Sequence, residues 1–122
     1  MALNKNSKIF LAGHNGMVGS SILKYLKKKR YKKIITKDRK QLDLIDQSKT
    51  AKYLKKIKPD FVIIAAAKVG GIYANQNFKA EFIYNNIMIQ TNLIHASYKT
   101  GVKKLIFLGS SCIYPKYCKQ PI

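Results

Sequence analysis

Three glycines, Gly13, Gly16 and Gly19, stand at three-residue intervals where an apolar run gives way to a helical pattern. The apolar run is Ile9-Phe10-Leu11-Ala12, and the helical pattern starts near Met17. In a strand–turn–helix unit, the first glycine permits a sharp turn, the second lets a pyrophosphate approach the backbone, and the third lets the helix lie close to the sheet. The free N–H groups at the start of the helix then face the phosphates. The motif therefore predicts a dinucleotide-binding unit at the start of the chain.

The rest of the sequence alternates apolar strand-like runs with helical patterns. The predicted strands are 8–12, 34–36, 61–67 and 105–108. Helices are expected from about 17 to 30, from the capping residue Asp46 to Pro59, and from about 78 to 98, with Gly101 just past the last end. The run 61–67 is continuously apolar, which is typical of a central parallel strand covered on both faces.

The order β-α-β-α-β-α-β predicts an α/β fold of the Rossmann type, a doubly wound parallel sheet with helices on both faces. With a glycine turn after the first strand, the expected strand order is 3-2-1-4. Ligands of such sheets bind at the carboxyl ends of the strands. These ends carry the segments 13–19, 38–39, 66–71 and 109–114.

Net charge is the unusual feature of the composition, with 24 Lys and Arg residues against 5 Asp and Glu residues, or +19 at pH 7. One interpretation is a nucleic-acid-binding protein. The other is a solvated lysine surface, since Lys, Ile, Asn and Tyr are abundant together and share A/T-rich codons. The lysines are spread along the chain and form a block only at 27–30 with 32–33. The second interpretation is favoured, and nucleic acid is not an expected partner.

The sequence shows no sign of a membrane protein or of a secreted disulfide framework. No apolar run approaches the roughly 20 residues of a membrane helix, and residues 1–8 lack the apolar core of a secretory signal. The two cysteines, Cys112 and Cys118, are expected to be reduced. A soluble cytoplasmic protein without a metal site is the prediction.

Four segments carry a family resemblance: 12–20 (AGHNGMVGS), 65–72 (AAAKVGGI), 82–86 (FIYNN) and 108–116 (LGSSCIYPK). With them the chain resembles the extended short-chain dehydrogenase/reductases, in particular the members that epimerise and reduce the nucleotide sugar GDP-4-keto-6-deoxy-D-mannose. The resemblance implies NADP(H) as cofactor and that GDP-sugar as substrate. It also implies a homodimer formed through the 78–98 helix, which carries Ile87, Met88 and Ile89 side by side.

Members of that family are more than twice as long as this chain. The resemblance places the Tyr-x-x-x-Lys pair of the reductase and the part that holds the GDP-sugar after Ile122. We therefore expect residues 1–122 to be the N-terminal part of an NAD(P)-binding Rossmann domain. Alone, these residues are expected to be inactive.

Site residues follow from the resemblance position by position. Ser110 matches the serine of the Ser-Tyr-Lys triad, and Cys112 matches the acid/base cysteine of the epimerisation. Val69 and Gly70 are assigned to the substrate side. The residues expected to bind the cofactor are Gly13, His14, Asn15, Gly16, Met17, Val18, Gly19, Arg39, Asp43, Leu44, Ala66, Leu108, Gly109, Ser110 and Ser111.

The choice between NADP and NAD depends on residues 15, 38 and 39. Arg39 matches the family's basic residue after the second strand, which holds the 2′-phosphate of NADP. Asn15 stands where related enzymes have an arginine, so one cation is lost. Asp38 favours NAD instead, because an acid after the second strand usually binds the ribose 2′-hydroxyl of NAD.

Other functions stay open on the sequence alone. The chain could belong to another NAD(P)-dependent nucleotide-sugar epimerase or dehydratase. It could also be a non-catalytic nucleotide-binding module or, given its charge, a basic nucleic-acid-binding protein.

Overall fold

The computed structural model describes residues 3–110, 114–115 and 117–119, and within them the chain forms four strands and four helices. In chain order these are β1 Lys8–Ala12, α1 Met17–Lys28, β2 Lys33–Ile35, α2 Gln47–Ile57, β3 Phe61–Ile64, α3 Ile72–Asn77, α4 Lys79–Lys99 and β4 Lys104–Phe107. The predicted elements are all present, with β3 three residues shorter than its apolar run. The short helix α3 was not predicted.

All four strands are parallel and form one sheet in the order β2-β1-β3-β4. The Rossmann-type α/β class is confirmed, but the predicted order 3-2-1-4 is wrong. That order would put β3 at the edge beyond β2. The residues of β3 are at most 8% exposed, whereas β2 has three residues and begins with the exposed Lys33. A strand that is apolar on both faces is stable only inside the sheet, so β3 pairs with β1 instead.

The core consists of two layers, one on each face of the sheet. Alternating residues of β1 and β3 point to opposite faces, which separates the two layers. Helix α1 covers one face, where the buried residues are Ile9, Leu11, Leu26, Phe61 and Ile63. Helices α2 and α4 cover the other, where the buried residues are Phe10, Ala12, Leu42, Leu54, Val62, Ile64, Leu93 and Ala96.

The ends of α2 follow the sequence signals. The Asp46 carboxylate accepts a hydrogen bond from the backbone N–H of Lys49 at 2.9 Å, which confirms the predicted cap. This bond, followed by the hydrogen bond from the Lys49 side chain, lowers the pKa of Asp46. The helix ends at Lys58 in the left-handed conformation, directly before Pro59.

Strand β1 lies between β2 and β3 in the sheet. The chain leaves β1 towards β2 on one side and then crosses, through α2, to β3 on the other side. Connections that leave in opposite directions open a crevice at the carboxyl end of the strand between them. The glycine turn lies at that end of β1. Among the described residues, no helix is long and apolar enough to cross a membrane.

Candidate functional site

The glycine turn is held against the strand next to it by close backbone contacts. Gly13 has φ +86°, a backbone conformation that residues other than glycine rarely adopt. A Cβ at this position would lie 2.5 Å from the backbone nitrogen of Ala66. A Cβ at Gly19 would lie 2.0 Å from the carbonyl oxygen of Gly13. Both glycines are therefore required by the fold itself, because they bring β1, β3 and α1 together.

Gly16 differs from the other two glycines. A Cβ here would meet only the Gly13 carbonyl oxygen, at an ordinary contact distance of 3.5 Å. Gly16 is the N-cap of α1 and provides no side-chain cap, and the first turn of the helix contains no acidic residue. The positive end of a twelve-residue helix is thus left open to an anion. These are the properties of a phosphate-binding helix start.

A cleft of about 290 Å³ opens beside this helix start, at the carboxyl ends of β1, β2 and β3. It lies where a dinucleotide is expected in a sheet of this topology. Four segments and two residues of α4 form its walls. They are Gly13–Gly16, Lys37–Arg39, Leu42–Ile45, Ala65–Lys68, Asn85 and Ile89.

The loop after β2 contributes both acidic and basic groups to the cleft. Asp38 and Gln41 form a reciprocal cap, in which each side chain accepts a hydrogen bond from the other residue's backbone N–H. The Nε atom of Arg39 lies 3.7 Å from a carboxylate oxygen of Asp43. The carboxylate of Asp43 also accepts a hydrogen bond from the backbone N–H of Ile45 at 3.1 Å. Both acids therefore serve the local structure of the loop.

Two asparagines of α4 hold the cleft loops in place. The side-chain amide of Asn92 donates to the carbonyl oxygens of Leu44 and Ile45, both at 2.9 Å, and Asn92 is only 3% exposed. Asn86 accepts a hydrogen bond from the N–H of Lys68 at 2.6 Å and donates to its carbonyl oxygen at 3.0 Å. Helix α4 thus fixes the loops that follow β2 and β3.

The sequence predicted no place in the cleft for these two asparagines, nor for Lys37 and Asn85. Ile89 was expected at a dimer interface, but it lines the cleft and packs against the core. A signal existed for Asn92. It lies between the apolar positions Ile89, Leu93 and Ala96 on the face of α4 that packs on the sheet. A buried amide requires hydrogen-bond partners, so its position indicated a nearby backbone loop.

The predicted cofactor residues fall into two groups in the structure. The residues 13–16, Arg39, Asp43, Leu44 and Ala66 all line the cleft. His14 lines it with its Nδ1 atom buried and, among the residues that the structure describes, without a hydrogen-bond partner. Gly19 lies behind the turn, while Met17 and Val18 are exposed at the start of α1. The binding role of each residue stays a prediction.

Five further predicted residues are described by the structure and do not line the cleft. Leu108 and Gly109, predicted to bind the cofactor, and Ser110, predicted to be catalytic, follow β4 and are exposed. Val69 and Gly70 lie in the loop after β3, where a Cβ on Gly70 would come within 2.9 Å of Ala74 and Phe82. Ser111 and Cys112 are outside the described residues.

Five of the 24 basic residues lie in the last turns of helices. They are Lys27, Lys28, Lys55, Lys56 and Lys99. The negative end of the helix dipole stabilises a cation there, so these five lysines complement the helix ends.

Known proteins share both the sequence and the fold. The sequence profile of the NAD dependent epimerase/dehydratase family matches residues 9–122. GDP-L-fucose synthase 1 of Arabidopsis thaliana is 51% identical over 119 residues, which cover 98% of this chain and 37% of that protein. A GDP-L-fucose synthase of Sinorhizobium fredii is 52% identical over 122 residues, or 100% of this chain and 38% of that protein.

A solved structure adds a cofactor complex to the comparison. The Campylobacter jejuni protein MlghC, a GDP-mannoheptose C4 reductase with NADP bound, is 40% identical and superposes with a TM-score of 0.94. The superposition covers 99% of this chain and 38% of that protein. The chain thus spans a little over a third of the length of each of these relatives. It belongs to the NAD dependent epimerase/dehydratase family.

Proposed function

We propose that the full-length protein, meaning the protein at the length of its relatives, converts GDP-4-keto-6-deoxy-D-mannose to GDP-L-fucose. The reaction epimerises C3 and C5 and reduces the C4 ketone with NADPH. The observation that carries the proposal is the uncapped start of α1, which opens into a cleft built by close-packed glycines. The identity of 51% and 52% to two GDP-L-fucose synthases supports this choice of substrate.

The residues of the cleft fit a dinucleotide. Gly16 leaves the backbone accessible, and the open N–H groups of α1 would hold the pyrophosphate. Leu44 and Ile89 offer apolar surface for the adenine ring. When bound, NADPH supplies the hydride for the reduction.

Ser110 and Cys112 are the proposed catalytic residues of this chain. The Ser110 hydroxyl would donate a hydrogen bond to the C4 carbonyl oxygen, which polarises the ketone. Cys112 would remove or return a proton at the carbon atoms beside that carbonyl, as a thiol can when its pKa lies near the working pH. Both assignments rest on the sequence match at 108–116.

A second candidate is a GDP-sugar C4 reductase that does not epimerise. The observation in its favour is the TM-score of 0.94 to MlghC, which is described as a GDP-mannoheptose C4 reductase. The two candidates share the cofactor and differ in the configuration of the product at C3 and C5.

Helix α4 supports assembly as a homodimer. Its outward face carries Ile83, Tyr84, Ile87, Ile94 and Tyr98, which are between 44% and 78% exposed. Contiguous apolar surface of this kind is typical of a protein–protein interface. We infer that this face meets the same face of a second subunit. The predicted cytoplasmic location remains a prediction.

The direct test incubates the full-length protein with GDP-4-keto-6-deoxy-D-mannose and NADPH and identifies the product by NMR. We expect GDP-L-fucose, with one NADPH oxidised for each product molecule. A product with unchanged configuration at C3 and C5 would favour the reductase without epimerisation, and the absence of NADPH oxidation would contradict both candidates.

Sedimentation of the full-length protein tests the proposed dimer and should give twice the monomer mass. A monomeric mass at micromolar concentration would contradict a dimer formed through α4.

A further inference from the structure

A second concave surface, a groove of about 760 Å³, lies between helices α2 and α4. Two of its lining residues are alanines, Ala51 on α2 and Ala96 on α4, whose small side chains leave room between the helices. A volume of this size is typical of a small-molecule site. Among the described residues, the groove shares none with the cleft at the carboxyl ends of the strands.

The charged residues that line this groove are all lysines. Lys52 and Lys55 line it from α2, Lys58 from the C-cap of that helix, and Lys99 from α4. Within residues 3–110, 114–115 and 117–119, no acidic residue lines the groove, and none of these four lysines forms an ion pair. A concave surface lined by one sign of charge focuses its field and raises the local concentration of counter-ions.

The ends of the two helices compensate only part of this charge. Both helices end at the groove, since their C-caps, Lys58 and Thr100, line it. The end of a helix carries about −0.5 elementary charge, so two ends offset about one of the four lysines. About three positive charges therefore remain for a ligand.

The lysines on α2 also repel one another. Lys52 and Lys55 are three residues apart, and Lys58 follows three residues later. Like charges at this spacing lie on the same side of a helix and destabilise it. The nearest acid along the chain on the N-terminal side, Asp46, pairs with Lys49 at 3.1 Å instead. A bound anion would relieve this repulsion.

We propose that the groove between α2 and α4 binds a small ligand that carries two or more phosphate groups. A lysine ammonium suits a phosphate as a point charge, and lysines stand on both walls of the groove. Positions 52–58 extend over about 9 Å of the helix axis, which is longer than one phosphate group. Ser48 and His95 add hydrogen-bond donors. The inference goes beyond the proposed function and does not depend on it.

An acidic peptide is the other occupant that would match the charge. Helix α2 has 11 residues. It is therefore about 16 Å long, which accommodates about five residues of an extended peptide. A flexible peptide must also lose conformational entropy when it binds, whereas a small ligand brings the same charges with less ordering. The size of the groove therefore favours the small ligand.

The test titrates tripolyphosphate into the full-length protein by calorimetry at about 0.15 M salt, which screens non-specific attraction. NADPH and GDP are present in excess so that nucleotide sites are filled. Lys55→Gln and Lys99→Gln remove one lysine from each wall and should each raise the Kd about fivefold or more, because a charge-assisted bond is lost. Lys56→Gln is the matched control, since Lys56 is in the same last turn of α2 but does not line the groove.

Two further ligands define the chemistry of the site. Orthophosphate should bind about tenfold more weakly than tripolyphosphate or worse, because it carries one phosphate group. Fructose 1,6-bisphosphate distinguishes a phosphorylated sugar from a free phosphate chain, and the tighter of the two polyphosphorylated ligands identifies the source. Its binding should weaken in Lys55→Gln as well.

Three results would overturn the inference. Equal losses of affinity in Lys55→Gln and Lys56→Gln would show that the ligand responds only to the net charge of +19. The absence of binding of both polyphosphorylated ligands would show that the groove is not a site for them. Tighter binding of a hexaglutamate peptide than of either ligand would identify an acidic peptide as the occupant instead.

Discussion

Gly19→Ala is expected to destabilise the protein by about 3 kcal/mol or more, because the added methyl group has no space. Its Cβ would lie 2.0 Å from the carbonyl oxygen and 2.7 Å from the carbonyl carbon of Gly13. These are backbone atoms, and Gly13 is itself pressed against the backbone of Ala65 and Ala66. Helix α1 would have to move away from the sheet. Urea unfolding followed by circular dichroism measures the loss.

Gly16→Ala is the matched control for this prediction. Its Cβ would lie 3.5 Å from the nearest protein atom, so stability should change little. Dinucleotide binding should nevertheless weaken, because the methyl group stands where the pyrophosphate approaches the backbone. If Gly19→Ala proves as stable as Gly16→Ala, the close packing of α1 against the turn is wrong.

Asn92→Asp is expected to have the second large effect. The side chain is 3% exposed and donates to the carbonyl oxygens of Leu44 and Ile45. An aspartate at this position would place a carboxylate, which has no hydrogen to donate, against these two carbonyl oxygens. The cost of such a buried, unpaired charge is about 3–5 kcal/mol. The free energy of unfolding should fall accordingly, and NADPH binding should weaken because the 42–45 loop lines the cleft.

The pH dependence gives this second prediction an internal check. Burial raises the pKa of an introduced carboxyl, so protonation at low pH would restore one donor and reduce the stability deficit relative to the parent protein. Asn77→Asp is the control, because Asn77 is exposed and its side-chain amide donates to the Tyr73 carbonyl oxygen of its own helix. Equal losses in the two variants would contradict the role of Asn92.

Local signals in the sequence were sufficient to predict every element of the fold except the short helix α3. The apolar run before Gly13 predicted β1 with the bounds that the structure shows, and Asp46 with Pro59 predicted both ends of α2. The strand order was wrong although the sequence contained evidence against it. A run as apolar as 61–64 on both faces belongs inside the sheet, and this constraint is stronger than the analogy with the 3-2-1-4 order.

The site was predicted where the backbone alone determines it. The spacing of Gly13, Gly16 and Gly19 predicted the turn, but it could not show that only Gly16 of the three has room for a Cβ without a clash. The reciprocal cap of Asp38 and Gln41 and the loop contacts of Asn92 depend on tertiary structure. Spacing along the chain carries no information on such contacts, because Asn92 lies more than forty residues from the loop it holds.

If the full-length protein epimerises the GDP-sugar before reducing it, as proposed, Cys112 exchanges protons at C3 and C5. The measurement is the uptake of solvent deuterium at C3 and C5 of GDP-4-keto-6-deoxy-D-mannose in D2O, without NADPH, by the full-length protein and its Cys112→Ser variant. We expect rapid exchange by the unmodified protein and strongly slowed exchange by the variant, because a serine hydroxyl is a far weaker acid than a thiol. Equal exchange rates in the two proteins, or none in the unmodified one, would contradict it.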